Sequence, residues 1–240
     1  MGLFSKTKTV DIFFVGSEGT DLDRGIYAFY FNVDNGEIIK KSFVKSLANP
    51  LAMNKNGRFM YLTYRNGTGR AQDGGIWQYA CMEVQLGLAA RVGNEGRTYI
   101  QTLLNKNSSY AYAIDYYNGE VVTVPIKTSK IIRVSKTVKL DGHSIDPVKQ
   151  TESHPTFMTF TPDNTKLVVT DLGGDEVIFF TEGEKGELIK DEELSFKLTP
   201  GSGPLKLVYS KNRKFAYILN SISSTIACYS VKHNKFTLID

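Results

Sequence analysis

The chain contains three histidines, and histidine is the residue type best suited to act as a general base at neutral pH. His154 lies in the segment SHPTFMTFTPDNTKLVVTDLGGDEVIFF, directly before Pro155 and the first of two strand-like runs. His143 lies in a Gly/Asp/Pro loop and His233 in an outer hairpin turn, so both are expected at the surface. His154 is therefore the candidate base. The alternative is a polar residue that caps a turn at the start of a strand.

Other patterns that could carry chemistry are weak. The segment GTGRAQDGG is rich in glycine, but it joins two predicted strands and opens no helix, which argues against a phosphate-binding loop. DLDRG, from Asp21, lacks the remaining ligands of a calcium loop. The histidines and cysteines show no metal-ligand spacing, and no Gly-x-Ser-x-Gly nucleophile motif occurs. We expect no metal and no cofactor.

Composition and charge limit the class of protein. Of the 240 residues, 41% are hydrophobic and 22% are charged, which is typical of a globular chain. The net charge of +4 does not by itself predict a nucleic-acid partner, and no apolar run is long enough to span a membrane. Cys81 and Cys228 lie far apart in separate strand-like runs, so two buried free thiols are favoured over a disulfide. With no apolar signal segment at the N-terminus, we expect a cytoplasmic protein.

A repeated pattern of strands is the main structural signal. A polar turn followed by an alternating apolar strand occurs four times at spacings of roughly 50 residues, close to the length of a β-propeller blade. These copies begin at Asn54, Asn105, Pro162 and Ser210. A second strand recurs five times, as GIYAFYF, GIWQYA, EVVTVPI, EVIFFTE and TIACYSV. One four-stranded sheet cannot bury both of its faces, whereas blades stacked around an axis cover one another.

The repeats predict an all-β fold, a single β-propeller domain over residues 1–240 built of four-stranded antiparallel blades. About five blades are expected, at roughly 9–45, 46–95, 96–140, 153–197 and 203–240. The first copy lacks the inner strand that the other copies have, and the chain stops after the outer strand of the last copy. We expect either an incomplete ring, whose unpaired blade edges favour self-association, or a ring that closes in another way.

Two segments carry a family resemblance. DGHSIDPVKQTESHPTFMTFTPDNTKLVVTDLGGDEVIFF, from Asp141, is similar to a pattern of His-x-Gly, Arg-Gln, Pro-His-x-His and Asp-Leu-Gly-x-Asp. PGSGPLKLVYSKNRKFAYILNSISSTIACY, from Pro200, is similar to Gly-x-Gly-Pro-Arg-His followed by Asn-Glu-x-x-Ser-Thr-Val. On these motifs the chain resembles the seven-bladed lactonase propellers, the family of 6-phosphogluconolactonase and carboxy-muconate lactonising enzyme. The resemblance extends over the whole chain as the first five of seven blades, without the last two.

The resemblance implies a central cleft in which a lactone ring is opened. This reaction needs a base that activates water, together with donors or cations that stabilise the oxyanion. His154 is the implied base, and Asp171 would orient His154 or act as the base itself. The remaining implied cleft residues are expected to bind the substrate: Lys149, Gln150, Lys206 and Tyr116.

The sequence also departs from the family pattern at several cleft positions. Lys149 stands where the family has arginine, and Thr156 stands at the second histidine of Pro-His-x-His. Leu205 and Lys206 replace Arg-His, while Tyr99 replaces a further histidine. Ser221 replaces the glutamate of Asn-Glu. These losses weaken the implied activity.

Two functions therefore stay open. One is a lactonase-like hydrolase of carbohydrate metabolism that acts on a small anionic sugar lactone. The other is a non-catalytic propeller that binds a small anionic ligand or a protein partner. Lys206 and Asp171 also have explanations that need no ligand. Lys206 would be a solvated lysine, and Asp171 would cap a turn at a strand end.

Overall fold

A computed structural model of the protein describes residues 9–17, 24–47, 49–66, 73–83 and 85–239. Within these ranges the secondary structure consists of β-strands and turns, without a helix. It follows that no helix in the described part of the chain could span a membrane. The segment DLDRG lies largely outside the described residues, as does the start of GTGRAQDGG.

The strands form five antiparallel sheets. The first sheet contains β1 (Val10–Ser17), β2 (Gly25–Asn32) and β3 (Ile38–Ser46). The second contains β4 (Pro50–Asn56), β5 (Phe59–Asn66), β6 (Asp73–Met82) and β7 (Gln85–Glu95). The third contains β8 (Tyr99–Leu104), β9 (Tyr110–Asp115), β10 (Glu120–Lys127), β11 (Lys130–Ile131) and β12 (Lys136–Lys139). The fourth contains β13 (Pro155–Phe160), β14 (Lys166–Asp171), β15 (Glu176–Glu182), β16 (Leu188–Lys190) and β17 (Phe196–Lys197). The fifth contains β18 (Pro204–Tyr209), β19 (Phe215–Asn220), β20 (Thr225–Lys232) and β21 (Lys235–Leu238).

Successive sheets lie side by side, with their first strands next to one another. β4 contacts β8, β8 contacts β13, and β13 contacts β18. Within each of these sheets the strands follow one another outward in chain order, and the outermost strand of the third and fourth sheets is split into two short pieces. This radial arrangement is that of a β-propeller, and the predicted fold class is confirmed.

The middle strands are buried on both faces because each inner sheet lies between two others. In β14 every residue from Leu167 to Asp171 is buried, so this strand does not show a polar, solvent-facing side. Val169 and Phe180 pack in the apolar cluster shared with the third sheet, whereas Val168 and Phe179 pack in the cluster shared with the fifth. Successive side chains along one strand therefore pack alternately against the sheet on one side and the sheet on the other.

The two cysteines are free, in agreement with the sequence-based prediction. Cys81 lies on β6 and Cys228 on β20, and both are half-buried rather than fully buried as expected. Burial raises the pKa of the Cys81 thiol, and Lys55 only partly opposes this effect.

One piece of geometry recurs in the third, fourth and fifth sheets. The first residue of the inner strand pairs with the last residue of the next strand, and a bulge follows in each case. The paired residues are Tyr99 and Asp115, Pro155 and Asp171, and Pro204 and Asn220. A four-residue turn then leads to the third strand, and its last residue has a positive φ: Gly119, Asp175 or Ser224. Residues of different sheets can thus be compared position by position.

Candidate functional site

His154 lies directly before β13, the inner strand of the fourth sheet. A residue that precedes proline favours extended backbone. In this conformation its main-chain N–H donates to Asp171 Oδ1 at 2.6 Å, and its carbonyl oxygen accepts the N–H of Leu172 at 3.0 Å. His154 is 8% exposed, so solvent reaches only a small part of it. Its backbone is therefore fixed on both sides, which restricts the directions that the imidazole can take.

The imidazole of His154 is held by Tyr116, a residue of the third sheet. Its Nδ1 lies 3.0 Å from the carbonyl oxygen of Tyr116. A carbonyl oxygen can only accept, so the neutral ring carries its proton on Nδ1. The lone pair is then on Nε2, and the contact of Nδ1 is the one hydrogen bond found for this ring among the described residues. An imidazole in this tautomer can accept a proton at Nε2.

Tyr116 also stacks on His154, with ring centroids 4.6 Å apart and an interplanar angle of 13°. Tyr116 lies in the turn between β9 and β10, and the ring of Tyr117 packs against it edge-on at 5.0 Å. Burial raises the pKa of the Tyr116 hydroxyl, and the charges of Tyr117 and Asp171 act in the same direction. This hydroxyl therefore stays protonated at neutral pH and can donate a hydrogen bond.

The carboxylate of Asp171 is fully buried and has four donors. Besides the N–H of His154, it accepts the Ser153 hydroxyl at 2.8 Å, the Gly173 N–H at 3.1 Å and the Gly174 N–H. Burial raises the pKa of Asp171, although each of these hydrogen bonds acts to lower it. The sequence predicted that Asp171 would orient His154 or act as a base. In the structure Asp171 accepts the main-chain N–H of His154, and no hydrogen bond between its carboxylate and the imidazole is found among the described residues.

Ser153 was not predicted as a site residue. Its hydroxyl donates to Asp171 Oδ2 and accepts the main-chain N–H of Gly142 at 2.6 Å. The serine therefore ties the strand start that carries His154 to the loop between β12 and β13. The only signal in the sequence is a serine next to the histidine, and serine is too common before a strand to identify this contact.

Lys149 and Gln150 lie in the same loop between the third and fourth sheets. Gln150 is fully buried, and its amide nitrogen donates to the carbonyl oxygen of Leu172 at 2.9 Å. Its amide oxygen accepts the N–H of Asp146 at 3.1 Å, so both side-chain polar atoms bind the protein itself. The Lys149 side chain is exposed. In this arrangement Gln150 stabilises the loop, and only Lys149 offers a free charge to a ligand.

Lys206 and Thr156 lie on the adjacent inner strands of the fifth and fourth sheets. The ammonium group of Lys206 lies 5.6 Å from the ring centroid of Phe157, and the residue is exposed. The Thr156 hydroxyl donates to the carbonyl oxygen of Pro204 at 2.8 Å and so joins the two strands. A cation is therefore available beside the strand that His154 precedes. Thr156, which replaces a family histidine, connects the sheets instead.

The other sheets have different residues at the position of His154. Thr98 occupies it in the third sheet and Gly203 in the fifth. Neither residue type can act as a base near neutral pH. In the third sheet Arg97 contacts Glu120 and lies 3.6 Å from Asp115, so the counterpart of Asp171 is part of an ion-pair cluster there. Among these three sheets, only the fourth combines a histidine with a fixed tautomer at the strand start.

The arrangement can take a proton at His154 Nε2, donate one from Tyr116, and offer positive charge from Lys206 and Lys149. These are the elements that water activation and oxyanion stabilisation require. No group of three or more metal-ligating side chains occurs within the described ranges. The structure thus brings His154, Tyr116 and Asp171 into contact, while Gln150 and Lys149 lie in the supporting loop.

The fold and this site define a β-propeller with a histidine at the start of one inner strand. Comparison with known proteins gives the family. The model of the family described as "Lactonase, 7-bladed beta-propeller" matches residues 12–240. The chain therefore belongs to the seven-bladed lactonase propeller family, as the resemblance implied.

Individual relatives are distant. An uncharacterised protein of Staphylococcus saprophyticus is 23% identical over 238 residues, covering 95% of this chain and 65% of that protein. A protein of Formosa agariphila named 6-phosphogluconolactonase is 24% identical, covering 86% of this chain and 60% of its own length. The chain spans about three-fifths to two-thirds of the length of the curated relatives that it matches.

Solved structures agree with the fold. A protein from Lactobacillus plantarum superposes with a TM-score of 0.83 at 21% identity, covering 96% of this chain and 66% of that chain. The periplasmic gluconolactonase of Pseudomonas aeruginosa gives a TM-score of 0.82 at 18% identity, covering 96% and 67% respectively. At these identities the likeness establishes the architecture and not the substrate.

Proposed function

We propose that the protein is a hydrolase that opens a sugar lactone, with His154 as the general base. The observation that carries the proposal is the fixed imidazole. Its Nδ1–H donates to the Tyr116 carbonyl oxygen, the one hydrogen bond found for this ring among the described residues, and its face stacks on the Tyr116 ring. Membership of the lactonase family supports the same reaction class.

In the proposed reaction Nε2 of His154 removes a proton from water, and the water oxygen adds to the lactone carbonyl carbon. The tetrahedral oxyanion collapses and breaks the bond between this carbon and the ring oxygen. The proton on Nε2 then passes to the departing ring oxygen, which leaves a hydroxy acid and a neutral imidazole. The Tyr116 hydroxyl or a lysine would stabilise the oxyanion.

A phosphorylated lactone is the first substrate to test. The relatives of Formosa agariphila and Bacillus subtilis are named 6-phosphogluconolactonases. Lys206 and Lys149 are exposed and would bind the phosphate as point charges, without the two-pronged geometry of arginine. Asp171 acts here as a positioning residue for His154, and Gln150 as a residue that fixes the loop.

The test is the hydrolysis of 6-phosphogluconolactone by purified protein, measured above the spontaneous rate. His154→Gln should reduce the excess rate by about 100-fold or more, since a positioned base contributes at least this factor. His143→Gln, at an exposed loop histidine, is the matched control and should leave the rate unchanged. An intact protein without excess rate, or a His154→Gln variant with full rate, would overturn the proposal for this substrate.

A second candidate is a propeller that binds an anion without turnover. It is favoured by one observation: the polar groups of Asp171 and Gln150 are occupied by the protein itself. Calorimetric binding of 6-phosphogluconate, weakened by Lys206→Ala and without any catalysed lactone opening, would support this function. The cytoplasmic location and the self-association through blade edges stay predictions.

A further inference from the structure

A pocket lies between the fourth and fifth sheets, and His154 is not among the residues that line it. Its volume is about 410 Å³, which is in the range of small-molecule sites. One wall is the segment from Leu198 to Ser202, which connects the two sheets, and the other wall is formed by β19, β20 and β21. Asn220, Thr225 and Tyr229 belong to this second wall.

The repeat provides a counterpart between the third and fourth sheets. That pocket has a volume of only about 110 Å³. Its wall on the fourth sheet consists of Asp171, Glu176, Ile178, Phe180 and Lys190. By strand pairing, the corresponding residues of the fifth sheet are Asn220, Thr225, Ala227, Tyr229 and Leu238. On this wall the three charged residues are replaced by neutral ones and isoleucine by alanine, and the pocket of the fifth sheet is the larger of the two and has no charged side chain in its lining.

Asn220 is 3% exposed, and its Oδ1 has no hydrogen-bond partner within the described structure. Its Nδ2 donates to the Thr225 hydroxyl at 3.2 Å. A buried acceptor without a partner costs free energy, and such groups are few in native proteins. The unpaired oxygen therefore needs an explanation, and its position in the wall of the pocket supplies one.

The missing partners can be traced donor by donor. In the fourth sheet Asp171 accepts hydrogen bonds from four donors: the His154 N–H, the Ser153 hydroxyl, and the N–H groups of Gly173 and Gly174 in the following turn. In the fifth sheet the corresponding donors bind other acceptors. Ser202 Oγ donates to the Thr199 carbonyl oxygen at 2.6 Å, and the N–H groups of Ile222 and Ser223 donate to the Ser202 carbonyl oxygen at 3.2 Å.

The fourth donor, the main-chain N–H of Gly203, corresponds to the N–H of His154 and binds a residue of the fourth sheet. Asp175, in the turn after β14, accepts the N–H of Gly203 at 2.6 Å and the N–H of Gly201 at 2.7 Å. Gly119 occupies the position of Asp175 in the third sheet and has no side chain that could do the same. The Asp175 carboxylate thus takes one of the four donors whose counterparts bind Asp171 in the fourth sheet.

We propose that this pocket binds an uncharged, hydroxylated small molecule of about the size of a monosaccharide, whose hydroxyl donates to Asn220 Oδ1. The walls combine hydroxyl groups of Ser202 and Thr225 with apolar surface from Leu198 and Leu238, and no charged side chain lines them. A pyranose ring offers this combination of hydroxyl edges and apolar faces. The site does not use the lactonase residues and stands independently of the proposed reaction.

The experiment is an NMR titration of the isotope-labelled protein with methyl β-D-glucopyranoside at millimolar concentrations. We expect saturable shifts at Tyr229 and Ala227, which line the pocket. Asn220→Leu should weaken binding roughly fivefold, the effect of one lost hydrogen bond. His154→Gln should bind the glucoside as the wild type does, because it leaves this pocket intact. Tetrahydropyran, the same ring without hydroxyls, should bind more weakly than the glucoside.

A second variant keeps the test decisive if Asn220→Leu does not fold. Ala227→Ile introduces the side chain that the fourth sheet has at this position and should reduce binding by filling the pocket. The absence of saturable shifts in the wild type would overturn the proposal. Equal affinity in the folded Asn220→Leu variant, full affinity in Ala227→Ile, or tetrahydropyran binding as strong as that of the glucoside would also overturn it.

Discussion

The fourth and fifth sheets have the same strand register, yet the buried polar residue at the end of their second strand differs in hydrogen bonding. Asp171 accepts four hydrogen bonds, and one of them fixes the residue that carries the imidazole. Asn220, at the same position, has an oxygen without a partner. All four corresponding donors of the fifth sheet bind other acceptors: Asp175 takes the main-chain N–H of Gly203, and the other three bind carbonyl oxygens of Thr199 and Ser202. A repeated backbone can therefore give one sheet a fixed histidine and the next sheet an uncharged pocket.

The strongest test of this comparison is to remove both side chains in turn. Asp171→Leu leaves three N–H groups without an acceptor, and the Ser153 hydroxyl keeps only the Gly142 carbonyl oxygen at 3.4 Å, so the free energy of unfolding should fall by about 3 kcal/mol or more. Asn220→Leu removes an oxygen that already has no partner, and the change should stay below about 1 kcal/mol. Urea denaturation of both variants measures the difference. Equal losses would show that the two positions are energetically alike.

The role of Asp175 can be tested next. Asp175→Ala leaves the N–H groups of Gly201 and Gly203 without their acceptor and should cost about 2 kcal/mol of unfolding free energy. Its φ of 49° adds strain for alanine, whereas asparagine tolerates this region. Asp175→Asn is the control and should lose about half as much, since it keeps one acceptor oxygen. If Asp175→Ala unfolds in urea as the wild type does, the two hydrogen bonds of the Asp175 carboxylate do not stabilise the connection between the fourth and fifth sheets.

The smallest expected effect is a pH dependence. Burial raises the pKa of Asp171 above its ordinary value of 3.8, so the folded state binds this proton more tightly than the unfolded state. The resulting stabilisation is fully present below the ordinary value and is lost as the pH rises through the raised pKa. The unfolding free energy of the wild type should therefore contain a decrease with rising pH that Asp171→Asn lacks. Urea denaturation of both proteins, measured at pH values about one unit apart from roughly pH 4 to pH 7, checks this. Parallel curves would contradict a raised pKa.

Much of the fold could be predicted from the sequence. The recurring pattern of polar turn and apolar strand reports local backbone preference and burial, and both act over a few residues. Pro155 and Pro204 mark the starts of inner strands, and the turn residues mark the ends. One detail was wrong by a small margin: the two thiols are half-buried and not fully buried. Boundaries and degrees of burial depend on neighbouring sheets, which a local pattern does not contain.

For the site, the residue types can be taken from the sequence: a histidine before a proline, an aspartate at a strand end and lysines nearby. Which of these side chains contact one another depends on how the sheets pack. The stacking of Tyr116 on His154 joins the third and fourth sheets, and the carboxylate of Asp175 crosses from the fourth sheet to the fifth. A hydrogen bond forms between groups that lie within about 3 Å, and such distances between sheets follow from how whole blades pack. The position of a residue along the chain cannot show this.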